Sequence, residues 1–312
     1  MPINEIIVLI VFLLIAALIY IVEVSLFAGF VLNKLRGRHR KNLLLTKPAI
    51  LLHFIAAIGV VCFIYGCFIE PYRIEANNIS LRTTKLKQVS FRVVHISDLH
   101  CDKKLRNEKK IVKLVNELKP DAIVFTGDAV NYPSALPLFK ETMKNLNASM
   151  SKLAVLGNWE TSHWPGFDYY SQTGFELLNE QTIELEKNGE TITVSGLSYD
   201  RPENAWRVLQ HLSASRFNVF LYHSPELVEF LDGLNVDLYL CGHTHGGQVA
   251  LPFYGALITM SKSGKKYESG MYSVGKTILY VSRGIGLDAF PAPPVRLFSR
   301  PEITVFDIGP EK

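Results

Sequence analysis

The chain has 312 residues, enough for one large domain or two smaller ones, and its formal net charge is only +4. This small charge, without a basic patch interleaved with aromatic residues, gives no case for nucleic-acid binding, so we expect no nucleic acid as a partner, and no protein partner is evident. Apolar residues are concentrated in the first 70 positions, whereas the remainder alternates between apolar and polar runs as a globular domain does.

The first two predicted elements are apolar helices. Residues 6–22 are uninterrupted and continue, after Glu23, as a mostly apolar stretch to Leu32, and residues 49–69 are interrupted only by His53. At ~1.5 Å rise per residue, each run is long enough to cross a hydrocarbon core of ~30 Å.

We therefore predict that residues 1–70 form a membrane anchor with two transmembrane helices, at about 6–32 and 49–69. A signal peptide followed by a buried helix fits less well, because the N-terminal residues MPINE contain no Lys or Arg. A hairpin that enters the membrane without crossing it is the other alternative.

The segment between the two runs is basic. Basic loops stay on the cytoplasmic side, so both termini and the rest of the chain are predicted to be extracytoplasmic. The same loop would also bind anionic head groups. Cations after the second run, such as Arg73 and Lys85, weaken the bias. The basic residues of the loop are Lys34, Arg36, Arg38, Arg40, Lys41 and Lys47.

Residues 71–90 are predicted to be a polar connector with strand-like pieces, and strands and helices alternate over residues 91–308. Helices are predicted at 108–118 and 136–146, and a third begins with Ser224 as its N-cap and ends at Leu231. This alternation predicts an α/β fold with helices covering sheet faces. Strands are predicted at 91–96, 121–125, 152–156, 217–222, 236–240, 277–281 and 302–306, with a more exposed strand at 191–195.

Residue types that bind metals follow five of the predicted strands. They are Asp98 and His100, Asp128, Asn158, His223, and His243 with His245. Two divalent ions held ~3.5–4 Å apart need a shared anionic oxygen and neutral donors, and Asp128 can bridge them while Asn158 supplies a neutral oxygen. A single Asp-x-His triplet or one buried His is common without a metal. The ordered set after separate strands is what predicts the site.

These residues carry a resemblance to the calcineurin-like metallophosphoesterases, most closely to their membrane-associated branch. The resemblance implies a sandwich of two mixed sheets flanked by helices. It also implies that one ion takes Asp98, His100, Asp128 and His245, and the other Asp128, Asn158, His223 and His243. The matching segments are SDLH (97–100), TGD (126–128), LGNWE (156–160), YHSPE (222–226), CGHTHGGQV (241–249), SRGIG (282–286) and PEITVFDI (301–308).

The implied reaction is hydrolysis of a phosphodiester or phosphoanhydride by a metal-bridging hydroxide that attacks phosphorus in line. We expect two Mn2+ ions, with Zn2+ or Fe as alternatives, because imidazoles suit all three metals. The membrane anchor makes a lipid-linked phosphorylated substrate, and membrane lipids as partners, the expectation.

One residue departs from the family pattern. The family usually has a His after Gly-Asn, whereas this chain has Trp159, and an indole donates one N–H but cannot deliver a proton. His163 is the candidate to replace that donor, and with Asn158 and His243 it completes the predicted catalytic residues. Alternatively the leaving group needs no proton: a phosphate, with a second pKa near ~6, departs unaided, which favours a phosphoanhydride substrate.

Two other functions stay open. The first is that of the UDP-2,3-diacylglucosamine pyrophosphatases of lipid A synthesis, which the chain also resembles. Their substrate is made on the cytoplasmic side, so this function would place the catalytic domain on the cytoplasmic face. The second is a catalytically weak protein that holds a phospholipid through its metals, with Trp159 only packing at the rim of the site.

Overall fold

The computed structural model of the protein describes residues 2–37, 42–288 and 294–311. Three cations of the predicted basic loop, Arg38, Arg40 and Lys41, lie outside the described residues. The described helices are α1 (Ile3–Leu35), α2 (Lys47–Phe68), α3 (Glu108–Glu117), α4 (Leu136–Lys144) and α5 (Ala205–Leu209). The strands, in chain order, are β1 (Glu75–Thr83), β2 (Phe91–Ile96), β3 (Ala122–Phe125), β4 (Ser151–Ala154), β5 (Glu176–Leu177), β6 (Gln181–Lys187), β7 (Glu190–Gly196), β8 (Phe217–Leu221), β9 (Leu238–Cys241), β10 (Ala250–Leu251), β11 (Gly255–Ala256), β12 (Gly270–Val274), β13 (Thr277–Val281) and β14 (Glu302–Pro310).

Helices α1 and α2 are long and apolar enough to cross a membrane. They lie side by side: the Tyr20 hydroxyl donates to the Ala56 carbonyl at 3.1 Å, and Glu23 pairs with His53 at 2.8 Å. Most of their apolar side chains are exposed, so they do not form the core of a soluble domain. The two predicted spans therefore coincide with two paired helices.

The strands other than β10 and β11 form a sandwich of two mixed sheets. The first has the order β1-β14-β2-β3-β4-β5 and the second the order β12-β13-β9-β8-β7-β6, while β10 and β11 form a separate hairpin. Side chains such as Val124 and Val219 fill the space between the sheets. Ile111 of α3 and Phe139 of α4 cover the outer face of the first sheet, and Leu209 of α5 packs on the second. The predicted two-sheet α/β fold is confirmed.

Three local predictions need correction. The strand-like pieces expected at 71–90 form the single strand β1, which pairs in parallel with β14 from the far end of the chain. The strand expected to be exposed at 191–195 is β7, whose last five residues are buried. It lies between β8 and the unpredicted β6, and its Ile192 and Val194 belong to the core between the sheets. The helix expected after Ser224 is a 3-10 helix over Pro225–Phe230, and the Ser224 side chain makes no capping hydrogen bond.

Candidate metal centre

The predicted ligands all lie at one end of the sandwich, just beyond the C-terminal ends of β2, β3, β4, β8 and β9. Each is buried or half-buried. Five of them have positive φ, a conformation that costs energy for residues other than glycine and that is concentrated at functional sites. The φ angles are 51° for Asp98, 40° for His100, 61° for Asp128, 73° for His243 and 53° for His245.

The first cluster brings together Asp98, His100, Asp128 and His245, with ligand atoms within 4.8 Å of one another. The Nε2 atoms of His100 and His245 are 3.2 Å apart. His100 Nε2 lies 3.5 Å from a carboxylate oxygen of Asp128, and His245 Nε2 lies 3.5 Å from one of Asp98. Two nitrogens and two carboxylates therefore point into one small space.

The second cluster shares Asp128 with the first and adds His223 and His243. His223 Nε2 lies 3.3 Å from the same Asp128 oxygen that faces His100. The Asn158 Oδ1 lies 2.8 Å from both His223 Nε2 and His243 Nδ1, which places the predicted amide ligand in this cluster. Asp128 thus stands between the two groups, where a bridging carboxylate is required.

Hydrogen bonds on the far sides of the rings orient the histidines. His100 Nδ1 lies 2.9 Å from Asn131 Oδ1, and His223 Nδ1 lies 2.6 Å from the Thr126 carbonyl. Both partners are acceptors, so each Nδ1 donates a hydrogen bond and each Nε2 faces the cluster, where it can bind a metal ion that displaces any proton held there. Such outer partners are typical of metal-binding histidines. The donor set therefore fits divalent metal ions.

The ionisation of the buried groups supports the same conclusion. Burial opposes ionisation of Asp128, but the charge of His223 and hydrogen bonds from His100 and His223 hold the pKa of Asp128 well below its usual value. Burial likewise opposes protonation of His223, yet Asp128 raises its pKa to about 10, so without a metal the ring is protonated and a metal ion would take the place of its Nε2 proton. Burial and the charge of His223 lower the pKa of His243 to about 4, which leaves His243 as a neutral imidazole. Asp128 is therefore an anionic donor and His243 a neutral one.

Glu160 is a buried part of the site that sequence reasoning missed. Its carboxylate accepts the backbone N–H groups of Gly157 at 2.8 Å and Asp128 at 3.0 Å, and also that of Ala129. It therefore fixes the loop after β3 against the loop after β4, and with it the position of Asp128. The only sequence signal was an acid directly after Gly-Asn-Trp, which does not reveal these distant backbone partners.

Arg296 was also missed. It is fully buried and donates to the carbonyls of Gly286, Ser299 and Arg283, with Nη2 3.4 Å from His245 Nδ1. It therefore organises the loop behind His245. A single Arg outside any recognisable motif gave no signal for this role.

Trp159 and His163 lie beside the clusters. Trp159 is buried, its backbone N–H donates to Asp128 Oδ1 at 2.9 Å, and its indole meets the His100 ring edge-on at 5.2 Å. His163 is exposed and stacks on the indole at 4.5 Å, because a single π-helical turn over Trp159–His163 brings the two rings together. The structure thus places His163 at the rim rather than among the ligands.

Comparison with known proteins identifies the family. Residues 91–247 match the family model described as calcineurin-like phosphoesterase. The chain belongs to the calcineurin-like phosphoesterase family. The predicted family and the predicted enzyme class, a metal-dependent phosphoesterase, are confirmed.

Relatives of this phosphoesterase include both diesterases and pyrophosphatases. It is 34% identical over 262 residues to the uncharacterized metallophosphoesterase YkuE of Bacillus subtilis, covering 78% of this chain and 88% of the relative. It is 27% identical over 256 residues to the phosphodiesterase YaeI of Escherichia coli, covering 79% and 92%. It is 24% identical over 317 residues to the UDP-2,3-diacylglucosamine pyrophosphatase LpxG of Chlamydia muridarum, covering 80% and 94%.

Proposed function

We propose that this phosphoesterase is a membrane-anchored two-metal hydrolase that cleaves a phosphodiester or phosphoanhydride in a lipid-linked substrate. The observation that supports this most strongly is the pair of clusters that share Asp128. In this proposal Asp98, His100, Asp128 and His245 hold one ion, and Asp128, Asn158, His223 and His243 hold the other.

The two ions, proposed as Mn2+ with Zn2+ or Fe as alternatives, would supply Lewis acidity towards the phosphoryl oxygens and a water of lowered pKa. Asn158 and His243 are the two half-buried ligands, so a substrate meets them before the other ligands. The neutral amide of Asn158 adds no negative charge that would repel a phosphate. We propose Asn158 and His243 as the ligands that face the substrate, and His163 as the proton donor for leaving groups that need one.

Membrane anchoring rests on α1 and α2, and the LpxG relative acts on a diacylglucosamine linked to UDP, as its name states. An LpxG-like reaction is therefore the second candidate function. In that reaction the leaving group is a phosphate, which needs no proton to depart, and this agrees with Trp159 standing where the family usually has a proton donor. The two candidates differ in location. The basic loop favours an extracytoplasmic catalytic domain, whereas a nucleotide-linked substrate would require the cytoplasmic face.

The direct test uses the full-length chain in detergent, stripped of metal and reloaded with Mn2+. We expect it to hydrolyse bis(4-nitrophenyl) phosphate and to hydrolyse a nucleotide diphosphate-linked lipid faster still. Asp128→Asn and His243→Ala should each lower the rate at least ~100-fold, as expected when metal binding is impaired. The control is His211→Ala, which removes an exposed His outside the clusters.

Two results would oppose the proposal. Full activity in both ligand variants would remove the assigned metal centre. Tight binding of phosphorylated lipids without turnover of any diester or anhydride would favour the binding protein instead.

A further inference from the structure

Three loops at the metal-binding end of the sandwich are joined to the ends of α1 and α2. The loop after β2 contributes Asn107, whose side chain donates to the Pro71 carbonyl at 2.7 Å. The loop after β11 contributes Thr259, whose N–H donates to Glu5 at 2.9 Å. The loop after β13 continues into Ser299, whose N–H donates to Glu70 at 2.6 Å.

Glu5 and Glu70 are almost completely buried in these contacts. A buried carboxylate is costly unless it is hydrogen-bonded, so these contacts fix the helix ends rather than merely touch them. The Gly66 carbonyl, two residues before α2 ends, also accepts the Arg296 N–H at 3.0 Å. The first turn of α1 and the last turn of α2 therefore lie together against the end of the sandwich that carries the ligands.

Large apolar side chains project from the same three loops and from the β10–β11 turn, which precedes the second of them. Phe253, at the tip of the β10–β11 hairpin, is fully exposed, and Leu105, Met260 and Phe298 are each more than half exposed. Phe253, Met260 and Phe298 have φ angles of 66°, 57° and 55°, a conformation that is rare for bulky residues. We call these four residues the interfacial tips.

One of the tips reaches along α2. Phe298 lines a cavity of about 510 Å³ together with Val61 and Tyr65 of α2, and Arg300 lies at the same cavity. Val61 precedes the end of α2 by seven residues, which is about 10 Å at ~1.5 Å per residue. The same cavity is lined by Glu70 and Glu75, which follow α2. If α2 crosses a bilayer, Phe298 therefore lies near the level at which the helix leaves it.

Cationic side chains lie close to the interfacial tips. The Lys265 ammonium lies 4.2 Å above the Tyr254 ring, next to Phe253, and Arg300 follows Phe298 by two residues. Aromatic and cationic side chains are both favoured at the head-group level of a bilayer.

We propose that the interfacial tips insert into the head-group layer of a phospholipid bilayer and hold the metal-binding end of the sandwich against the membrane. The proposal rests on the membrane anchoring of the proposed function. A bilayer is the occupant favoured here because the tips are continuous with the ends of α1 and α2. The substrate class that follows is a membrane lipid whose scissile phosphate lies in the head group.

The test uses the full-length chain, reconstituted in vesicles of phosphatidylcholine and phosphatidylglycerol that contain brominated acyl chains. Each variant carries one added tryptophan as a fluorescent reporter. Phe253→Trp and Phe298→Trp are compared with Lys276→Trp, an exposed position in the β12–β13 turn at the opposite end of the sandwich. We expect bromolipid to quench the emission added by the first two substitutions and to leave that of the third unchanged. Equal quenching in all three, or none at the tips, would overturn the proposal.

A second variant separates insertion from folding. The double substitution Phe253→Asp and Phe298→Asp should cause a several-fold loss of activity on substrate embedded in vesicles and leave hydrolysis of soluble bis(4-nitrophenyl) phosphate unchanged. An equal rate on vesicle substrate would contradict insertion. Release of the wild-type chain from membranes by alkaline carbonate would instead defeat the anchoring itself, so the two failures are distinguishable.

Discussion

The imidazole of His163 lies parallel to the indole of Trp159, with ring centroids 4.5 Å apart and an angle of 17° between the planes. The indole also borders His100, so an aromatic wall stands beside the first cluster. Because an indole cannot deliver a proton, we expect Trp159→His to raise hydrolysis of an alkyl phosphomonoester relative to an anhydride, by up to ~100-fold, the lower limit of general acid catalysis. The measurement is the ratio of the two rates, with Trp159→Phe as the control that keeps an aromatic ring.

His163→Ala completes this comparison. If His163 supplies the proton, the substitution lowers the rate for alkyl leaving groups and spares aryl ones, whose departure needs no acid. Unchanged rates on both would show that His163 only covers the indole, and an unchanged ratio in Trp159→His would refute the leaving-group argument.

Glu160→Ala should destabilise the protein. It would leave three buried backbone N–H groups without an acceptor, at ~1–3 kcal/mol each, so we expect a loss of about 3 kcal/mol or more. The measurement is the midpoint of thermal unfolding of the metal-free chain in detergent. Glu203→Ala, at an exposed position, is the control. A midpoint equal to that of the control would show that Glu160 does not hold the two loops together.

His95 should make the protein less stable in acid. Burial lowers the pKa of its imidazole to about 3, and its Nδ1 has no hydrogen-bond partner among the described residues. Between pH 6.5, the ordinary value, and about 3, the unfolded chain therefore binds one proton more than the folded chain, so stability falls as pH falls. At pH 5 the cost is about 2 kcal/mol, at ~1.36 kcal/mol per unit.

The His95 prediction is checked by thermal unfolding of the metal-free chain at pH 7 and pH 5. His95→Gln, which cannot be charged, should show a smaller decrease in the midpoint than the wild-type chain. Identical decreases would mean that other groups cause the acid sensitivity.

Glu70 links α2 to a predicted ligand. It accepts the Ser299 N–H, and the Ser299 hydroxyl donates to the His245 carbonyl at 2.6 Å. Because Glu70 reaches His245 only through Ser299, we expect Glu70→Ala to weaken metal binding ~10-fold, the lower end of the effect of losing a group hydrogen-bonded to a ligand. Glu70→Gln keeps an acceptor oxygen and should retain most of the affinity. Mn2+ binding followed by calorimetry distinguishes them, and equal affinities in Ala and wild type would show that the anchor does not influence the site.

The candidate ligands could be predicted because each follows a strand whose apolar pattern is local, and because Asp128 and His243 belong to an ordered set of metal-binding residue types that can be seen along the chain. The contacts that organise the site were not. Glu160 binds backbone groups of Asp128 and Ala129, and β1 pairs with β14 at the other end of the chain. Glu5 meets Thr259 across 254 positions. Periodicity within a short window of sequence carries no information about such distant partners. The residues of β1 were therefore predicted to be a connector, and nothing in the sequence indicated that the helix ends contact the sandwich.

The most direct test of the central claim is a titration of the metal-free, full-length chain with Mn2+ while hydrolysis of bis(4-nitrophenyl) phosphate is recorded. Because Asp128 faces both clusters, we predict that activity reaches its plateau at two equivalents of Mn2+ and that Asp128→Asn stays inactive throughout. A plateau at one equivalent, or an active Asp128→Asn variant, would contradict a two-metal site built on this carboxylate.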